Sequence, residues 1–202
     1  SQWFNGLKTE WFIGNGGNDI IDGGRGTLVA MNVANLEFNI AQYNTATSGV
    51  IVNLAAGTAW GDASVGNDTL IGINYAWGSA YNDTLTGGNP TFDYLEQFNG
   101  SGGNDSINGG SGTDFVTYID STAATLVNLA TGTALDGLGG TDTLSNIEGV
   151  IGSAFGDIMT TEPETVGPIA SYAFGGGGND VIYATAATYD RIRGDDGFDV
   201  LN

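Results

Sequence analysis

The sequence predicts an all-β fold, a parallel β-solenoid of very short strands joined by tight turns. Three observations predict it. A nine-residue period of Gly, Asp and an apolar residue recurs along the chain, and a longer segment of about 75 residues is used twice. The third is composition: 35 glycines in 202 residues suit an elongated repeat body better than a globule built around a large core.

The nine-residue unit is clearest at Gly100 to Thr117, which reads GSGGNDSIN and then, without a gap, GGSGTDFVT. Both copies place Gly at positions one and four, Asp at six and an apolar residue at eight. Turns stacked on identical turns need close backbone approach, which Gly allows. Ile107 and Val116 are expected to point inward from three-residue strands, with residues seven and nine facing out.

Taken in order, the chain opens with SQWFNGLKTEWF, where Trp3, Phe4, Leu7 and Trp11 are spaced to share one face of a short helix. Residues 1–13 are expected to be a cap on the open end of the stack or a linker, and 14–202 the solenoid. GNGGNDIID from Gly14 is a complete unit; the next, GGRGTLVAM, has Leu28 where Asp is expected and so keeps the coil without an ion of its own. The long repeat then begins, with copies at about 39–113 and 114–185. Val50 to Ala59 recurs as Thr125 to Ala134, each preceded by a tyrosine, Tyr43 or Tyr118. GNDTLIGIN answers GTDTLSNIE, and GSAYND answers GSAFGD. The V-x-V-N-L alternation predicts strands longer than those of the nine-residue units, forming further solenoid turns.

Each copy is interrupted at the same phase, by Asn89 to Gln97 and by Thr160 to Ser171. Pro90, Pro163 and Pro168 all fall there, which predicts loops leaving the stack, with Phe92, Tyr94 and Phe98 available to a partner. The coil resumes with GGGGNDVIY, a degenerate TAATYDRIR and GDDGFDVLN. Because Asn202 is the ninth residue of a unit, the chain is expected to be a fragment of a longer protein.

The aspartates carry the chemistry. Asp19, Asp105, Asp114, Asp142, Asp180 and Asp199 stand at position six of complete units, and Asp68, Asp83, Asp157 and Asp190 at the same place in imperfect ones. One such match would be ordinary turn chemistry; this many, each with an apolar residue two places on, is not. Asp22, Asp195 and Asp196 are candidate additional ligands, while Asn15, Asn18, Asn104 and Asn179 are expected to satisfy turn backbone, some of them also lending carbonyl oxygens. Oxygen-only ligands without His or Cys suit a hard cation, and six to eight oxygens at roughly 2.3–2.6 Å describe calcium. A metal-free solenoid would leave stacked carboxylates repelling one another with no counterweight.

The unit resembles the RTX repeat, the calcium-binding β-roll of secreted bacterial proteins. The tyrosine, VNLA and NDTL segments are similar to those that accompany RTX repeats in large secreted proteins, which extends the resemblance to most of the chain. It implies that Asp and turn carbonyls of stacked turns share each Ca2+, and that the chain is exported unfolded by type I secretion and folds outside the cell.

Charge sets the boundaries on function. The net charge of −19 comes from 23 acids against Lys8, Arg25, Arg191 and Arg193, so nucleic acid and anionic membrane are poor partners. No apolar run is long enough to predict membrane insertion, no signal peptide is visible, and no cysteine is present to form a disulfide. Without His or Cys, Ser-His-Asp, Cys-His and His-ligated zinc chemistry are excluded within these residues. Glu37, Glu96, Glu148, Glu162 and Glu164 sit in unrelated contexts, so no carboxylate pair stands out and the chain is not expected to be an enzyme. The expected function is a calcium-binding structural module of an extracellular protein of surface-layer, matrix-filament or adhesin type. Self-association or neighbouring domains are its expected partners. The alternatives are an export and folding domain of a secreted enzyme, and calcium-dependent carbohydrate binding through Trp60, Trp77 or the loop aromatics.

Overall fold

The computed structural model describes residues 9–24, 38–88, 95–161, 171–184 and 190–202. Among these there is no helix, and the strands are short. In chain order they are β1 (Thr9–Phe12), β2 (Ile20–Asp22), β3 (Phe38–Gln42), β4 (Ile51–Asn53), β5 (Thr58–Trp60), β6 (Asn67–Ile71), β7 (Tyr75–Trp77), β8 (Thr84–Thr86), β9 (Glu96–Asn99) and β10 (Ser106–Asn108). They continue as β11 (Asp114–Thr117), β12 (Leu126–Asn128), β13 (Thr133–Leu135), β14 (Thr141–Ser145), β15 (Gly149–Ile151), β16 (Ile158–Thr160), β17 (Tyr172–Phe174), β18 (Val181–Tyr183), β19 (Arg191–Arg193) and β20 (Val200–Leu201).

The chain winds between two sheets, as the nine-residue period requires. One sheet has eight parallel strands in the order β1-β3-β7-β9-β11-β15-β17-β19; the other has twelve, β2-β6-β5-β4-β8-β10-β14-β13-β12-β16-β18-β20. Each coil adds one inward apolar residue per strand. Ala41, Ala76, Phe98, Val116, Val150 and Ala173 are in register along the first sheet, and Leu85, Ile107 and Leu144 along the second. All belong to one apolar core, in which Ile107 and Val116 are buried as expected.

The long repeat appears as eight strands used twice, β3 to β10 and β11 to β18. The V-x-V-N-L segments depart from expectation: they form antiparallel excursions within the parallel roll. β4 pairs antiparallel with β5 and β5 with β6, as do β12 with β13 and β13 with β14. The cause is a local turn. Asn53 Oδ1 accepts the Ala56 N–H at 2.7 Å and Asn128 Oδ1 the Thr131 N–H at 3.0 Å, and Gly57 and Gly132 both follow with φ 66°. A turn closed by a left-handed residue makes a hairpin. β4 and β12 are also only three residues long, no longer than the strands of the nine-residue units.

Three further expectations are corrected. Thr9–Phe12 is a strand paired with β3, so no helical face joins Trp11 to the residues before it; Trp3, Phe4 and Leu7 lie outside the described residues. Phe98 is fully buried in the core because β9 begins at Glu96, so the interruption ends earlier than the sequence suggested. Phe115 and Thr117, at positions seven and nine, are buried on the outer face of the eight-stranded sheet, where the Phe115 ring lies 5.2 Å from Tyr172 and 6.2 Å from Phe174. Leu28, Phe92, Tyr94, the three prolines, Glu37, Glu162 and Glu164 lie outside the described residues.

Candidate metal centre

Every strand of the twelve-stranded sheet except the excursion strands is entered from a tight turn, and the residue before it falls in line with its counterpart in the next coil. Hydrogen bonds link these residues in single file. The Asp19 N–H donates to Asp68 Oδ1, Asp83 to Asp105, Asp105 to Asp142, Asp157 to Asp180 and Asp180 to Asp199, all at 2.8–3.0 Å. Where an excursion breaks the file, Val50 and Thr125 take the aspartate's place and donate to Asp83 and Asp157. A parallel file of asparagines runs beside it: Asn18 Oδ1 accepts from Asn67, Asn104 Oδ1 from Thr141 and Asn179 Oδ1 from Phe198, the turn-satisfying role expected of them.

One carboxylate oxygen is thus used by the preceding coil. The fate of the other divides the aspartates into two classes. Asp83 and Asp157 have it satisfied by protein: the Ser79 and Ser153 N–H groups each donate to Oδ2 at 2.6 Å, and their hydroxyls to Oδ1 at 2.8 Å. Asp68 and Asp142 accept a tyrosine hydroxyl there, from Tyr43 at 3.1 Å and Tyr118 at 3.0 Å. In contrast, Oδ2 of Asp19, Asp105, Asp114 and Asp180 and Oδ1 of Asp190 are buried without a partner. In the complete units that oxygen faces the first glycine of its own turn: a Cβ added at Gly100, Gly175 or Gly194 would collide with Oδ2 of Asp105, Asp180 or Asp199. Glycine keeps that space clear.

The opposite edge carries a second file that the spacing did not reveal. Asp114 is in register with Glu96, whose N–H donates to Asp114 Oδ1 at 3.3 Å, and the Asp114 N–H donates to Glu148 Oε2 at 2.7 Å. Glu96 and Glu148 are therefore neighbours of Asp114, not acids in unrelated contexts. Sequence reasoning missed them because the links before β9 and β15 are not six-residue turns. The remaining signal was an acid at the start of a strand, Glu96 opening β9 and Glu148 standing just before β15.

Burial makes these files costly without a cation. Asp68, Asp83, Asp105, Asp114, Asp136, Asp142, Asp157 and Asp180 are each 3% exposed or less, and these eight alone outnumber the four basic residues of the chain. Arg193 pairs with Asp195, at the second position of the last unit, and not with a position-six aspartate. Desolvation pushes the Asp105 carboxyl up to about 9, with the charges of Asp142, Asp83 and Asp136 adding to it. Asp114 rises to about 8 through burial and then through Glu96 and Glu148, and burial lifts Asp83 and Asp142 to about 6. A buried charge unsatisfied by protein either takes a proton or takes a counterion.

Among the described residues no three carboxylates are gathered tightly enough to enclose an ion alone. The files explain this: each turn contributes one acid, so an ion must draw on consecutive turns and on backbone carbonyls. A hard oxygen set of that kind fits Ca2+. Of the other sequence candidates, Asp22 and Asp195 are engaged locally, Asp22 with the Gly24 N–H at 2.9 Å. The tryptophans proposed for sugar differ: Trp60 is 51% exposed, whereas Trp77 is stacked 6.0 Å from Tyr75 and its Nε1 donates to Ser101. No helix among the described residues is long and apolar enough to cross a membrane.

Comparison with known families agrees with this geometry. The family model of the RTX calcium-binding nonapeptide repeat matches four times, at residues 7–27, 71–89, 93–118 and 171–187. No curated protein matches the chain. The chain carries RTX repeats in an all-β, two-sheet roll, and RTX repeats bind Ca2+ in modules that are structural, not catalytic.

Proposed function

We propose that this RTX module is a calcium-stiffened structural element of an extracellular protein, of surface-layer, matrix-filament or adhesin type. The single observation that carries the reading is the file of buried aspartates whose second oxygens are left without a protein partner. In this reading Asp105, Asp114, Asp180 and Asp190 hold Ca2+ through those oxygens, Asp199 joins them through the oxygen that faces Gly194, and Asp19, Asp68, Asp83, Asp142 and Asp157 orient the adjoining turns and complete the ligand sets. The ion supplies the charge balance and rigidity that so thin a core lacks. The solenoid then begins with β1, ahead of residue 14, and runs to residue 202, with 39–113 and 114–185 as its two copies.

A chain of this charge self-repels where calcium is scarce and folds where calcium is plentiful, which suits a protein exported unfolded. Strand edges guarded by almost no lysine, Lys8 alone in the chain, suit self-association. Calcium titration of chelator-stripped protein, followed by far-UV circular dichroism and light scattering with Mg2+ as the control, tests both parts. The expected result is a cooperative gain of β signal with Ca2+ alone, accompanied by scattering. A complete β signal in chelator removes the ion from the folding reaction, and folding without any rise in scattering removes self-association.

A further inference from the structure

The two copies differ at one turn. The excursion strands β5 and β6 are joined through Gly61 to Gly66, and β13 and β14 through Asp136 to Gly140, one residue fewer. Gly61 and Asp136 are equivalent: each N–H closes its turn on the last glycine, Gly61 on the Gly66 carbonyl at 3.1 Å and Asp136 on that of Gly140 at 3.3 Å. The surroundings are also equivalent. A Cβ at Gly66 would collide with the Gly17 carbonyl oxygen and one at Gly140 with that of Gly103, and in each case the aspartate two residues after that carbonyl, Asp19 or Asp105, has a buried Oδ2 with no partner.

What fills the frame is different. In the first copy Val65, 1% exposed, occupies it, and a Cβ at Gly61 would lie 3.0 Å from the Val65 Cβ. Asp62 there is exposed and holds its own turn through Ser64 and Thr47. In the second copy the valine is gone and Asp136 is fully buried. Its Oδ1 accepts the N–H groups of Leu138, Gly139 and Gly140 at 2.8–2.9 Å, which fixes the carboxylate. Its Oδ2 has no partner and lies 2.7 Å from the point a Gly140 Cβ would occupy, the point that also meets the Gly103 carbonyl oxygen. Turn capping accounts for one oxygen of Asp136. It does not account for burying the second beside Asp105.

Resting on the reading of the aspartate file as calcium-binding, we infer that Asp136 is an additional calcium ligand: its Oδ2, Asp105 Oδ2 and the Gly103 carbonyl form a cation site in the second copy that Val65 closes in the first. Asp136 lies outside the segments matched as RTX repeats and at no position of the nine-residue unit. The first copy has the carbonyl and the neighbouring aspartate but lacks this carboxylate.

The test is calcium bound per chain, measured by equilibrium dialysis on the whole 202-residue chain. Asp136→Asn keeps an acceptor for the three N–H groups and replaces only the inward oxygen. It is expected to lose one ion, or to bind one about tenfold more weakly, because site affinity follows ligand charge; Asp62→Asn is expected to match the unaltered chain. Replacing residues 61–66 by the second copy's 136–140 is expected to add one ion, a gain that does not depend on the folding of the Asn variant. Unchanged binding in Asp136→Asn, or no gain from the graft, overturns the inference and leaves Asp136 a turn cap. No calcium bound by the unaltered chain overturns the underlying reading instead.

Discussion

The Tyr118 hydroxyl donates to Asp142 Oδ2 at 3.0 Å, and Tyr43 makes the same bond to Asp68 at 3.1 Å. These two bonds stand where an antiparallel excursion interrupts the aspartate file. The second oxygen, unpartnered in Asp19 and Asp105, is satisfied in Asp68 and Asp142 by a neutral donor from the other side of the roll. The recurrence of a tyrosine before each V-x-V-N-L segment is explained by this bond.

Tyr118→Phe removes the hydroxyl and strands a buried carboxylate oxygen. The expected cost is about 1–3 kcal/mol of stability, read as a lower midpoint of thermal unfolding in saturating calcium. Tyr43→Phe is expected to behave alike. A midpoint unchanged in both variants would show that the bond is dispensable.

The calcium-free chain should be most structured in acid. Asp83, Asp105, Asp114 and Asp142 have carboxyls raised above the ordinary 3.8, to values from about 6 to about 9. The folded state therefore holds protons that the unfolded state releases. Stability from this source is fully present below the unfolded value and is lost as pH rises from about 4, with the loss complete by about 6 for Asp83 and Asp142 and by about 9 for Asp105. Calcium affinity runs the other way and increases with pH, since the ion competes with those protons. Circular dichroism in chelator across this range, paired with calcium titrations at the same pH values, checks both slopes.

Asp180→Asn and Asp157→Asn should differ in kind. Asp180 presents an unpartnered oxygen to its turn, whereas both oxygens of Asp157 accept hydrogen bonds from Ser153 and Thr125. The Asp180 variant is expected to shift the calcium midpoint for folding upward. The Asp157 variant is expected to lower thermal stability in saturating calcium with a smaller effect on that midpoint. Equal calcium shifts would mean that serine-filled turns bind the ion as the glycine turns do.

Gly175→Ala tests whether the first glycine of a unit is there to leave room. Gly175 has no positive φ, so an added methyl brings no strain of that kind, but it would collide with Asp180 Oδ2 and the Gly194 carbonyl oxygen. Weaker calcium binding than in the unaltered chain is expected, by an amount comparable with Asp180→Asn. Normal binding would place the ion elsewhere.

Phe98→Ala should cost about 3–5 kcal/mol, because the ring is fully buried between Ala76 and Val116 in the inward row. Chemical denaturation in calcium measures it. A small effect would return Phe98 to the exposed segment where the spacing alone had put it.

Much of this architecture could be read from the chain because a solenoid is local. Asp105 and Ile107 are two residues apart and do different jobs in the same turn and strand, so a fixed spacing reported both the file and the core. The spacing failed where the period breaks. Glu96 and Glu148 follow links of other lengths, so counting from glycine did not reach them, and Asp136 stands one residue before the unit that carries Asp142, at no position of the period. The hairpins themselves had a signal, Asn53 and Gly57 or Asn128 and Gly132 four residues apart, but β-branched alternation suggests a strand without giving its direction. Tertiary pairing decided that β5 and β13 run backwards.

The unequal sheets have a mechanical consequence. Four more strands on one side, at about 4.8 Å each, make that face about 19 Å longer than the face it is tied to coil by coil. Two strips of different length joined along their run cannot both lie straight. The mismatch is expected to bow the module, with the longer sheet on the convex side and the bends at the two excursions, a curvature that small-angle scattering would read. A protein built from many such copies would be an arc or a superhelix whose radius is set by how often the hairpin recurs, and calcium would fix how far that arc can flex.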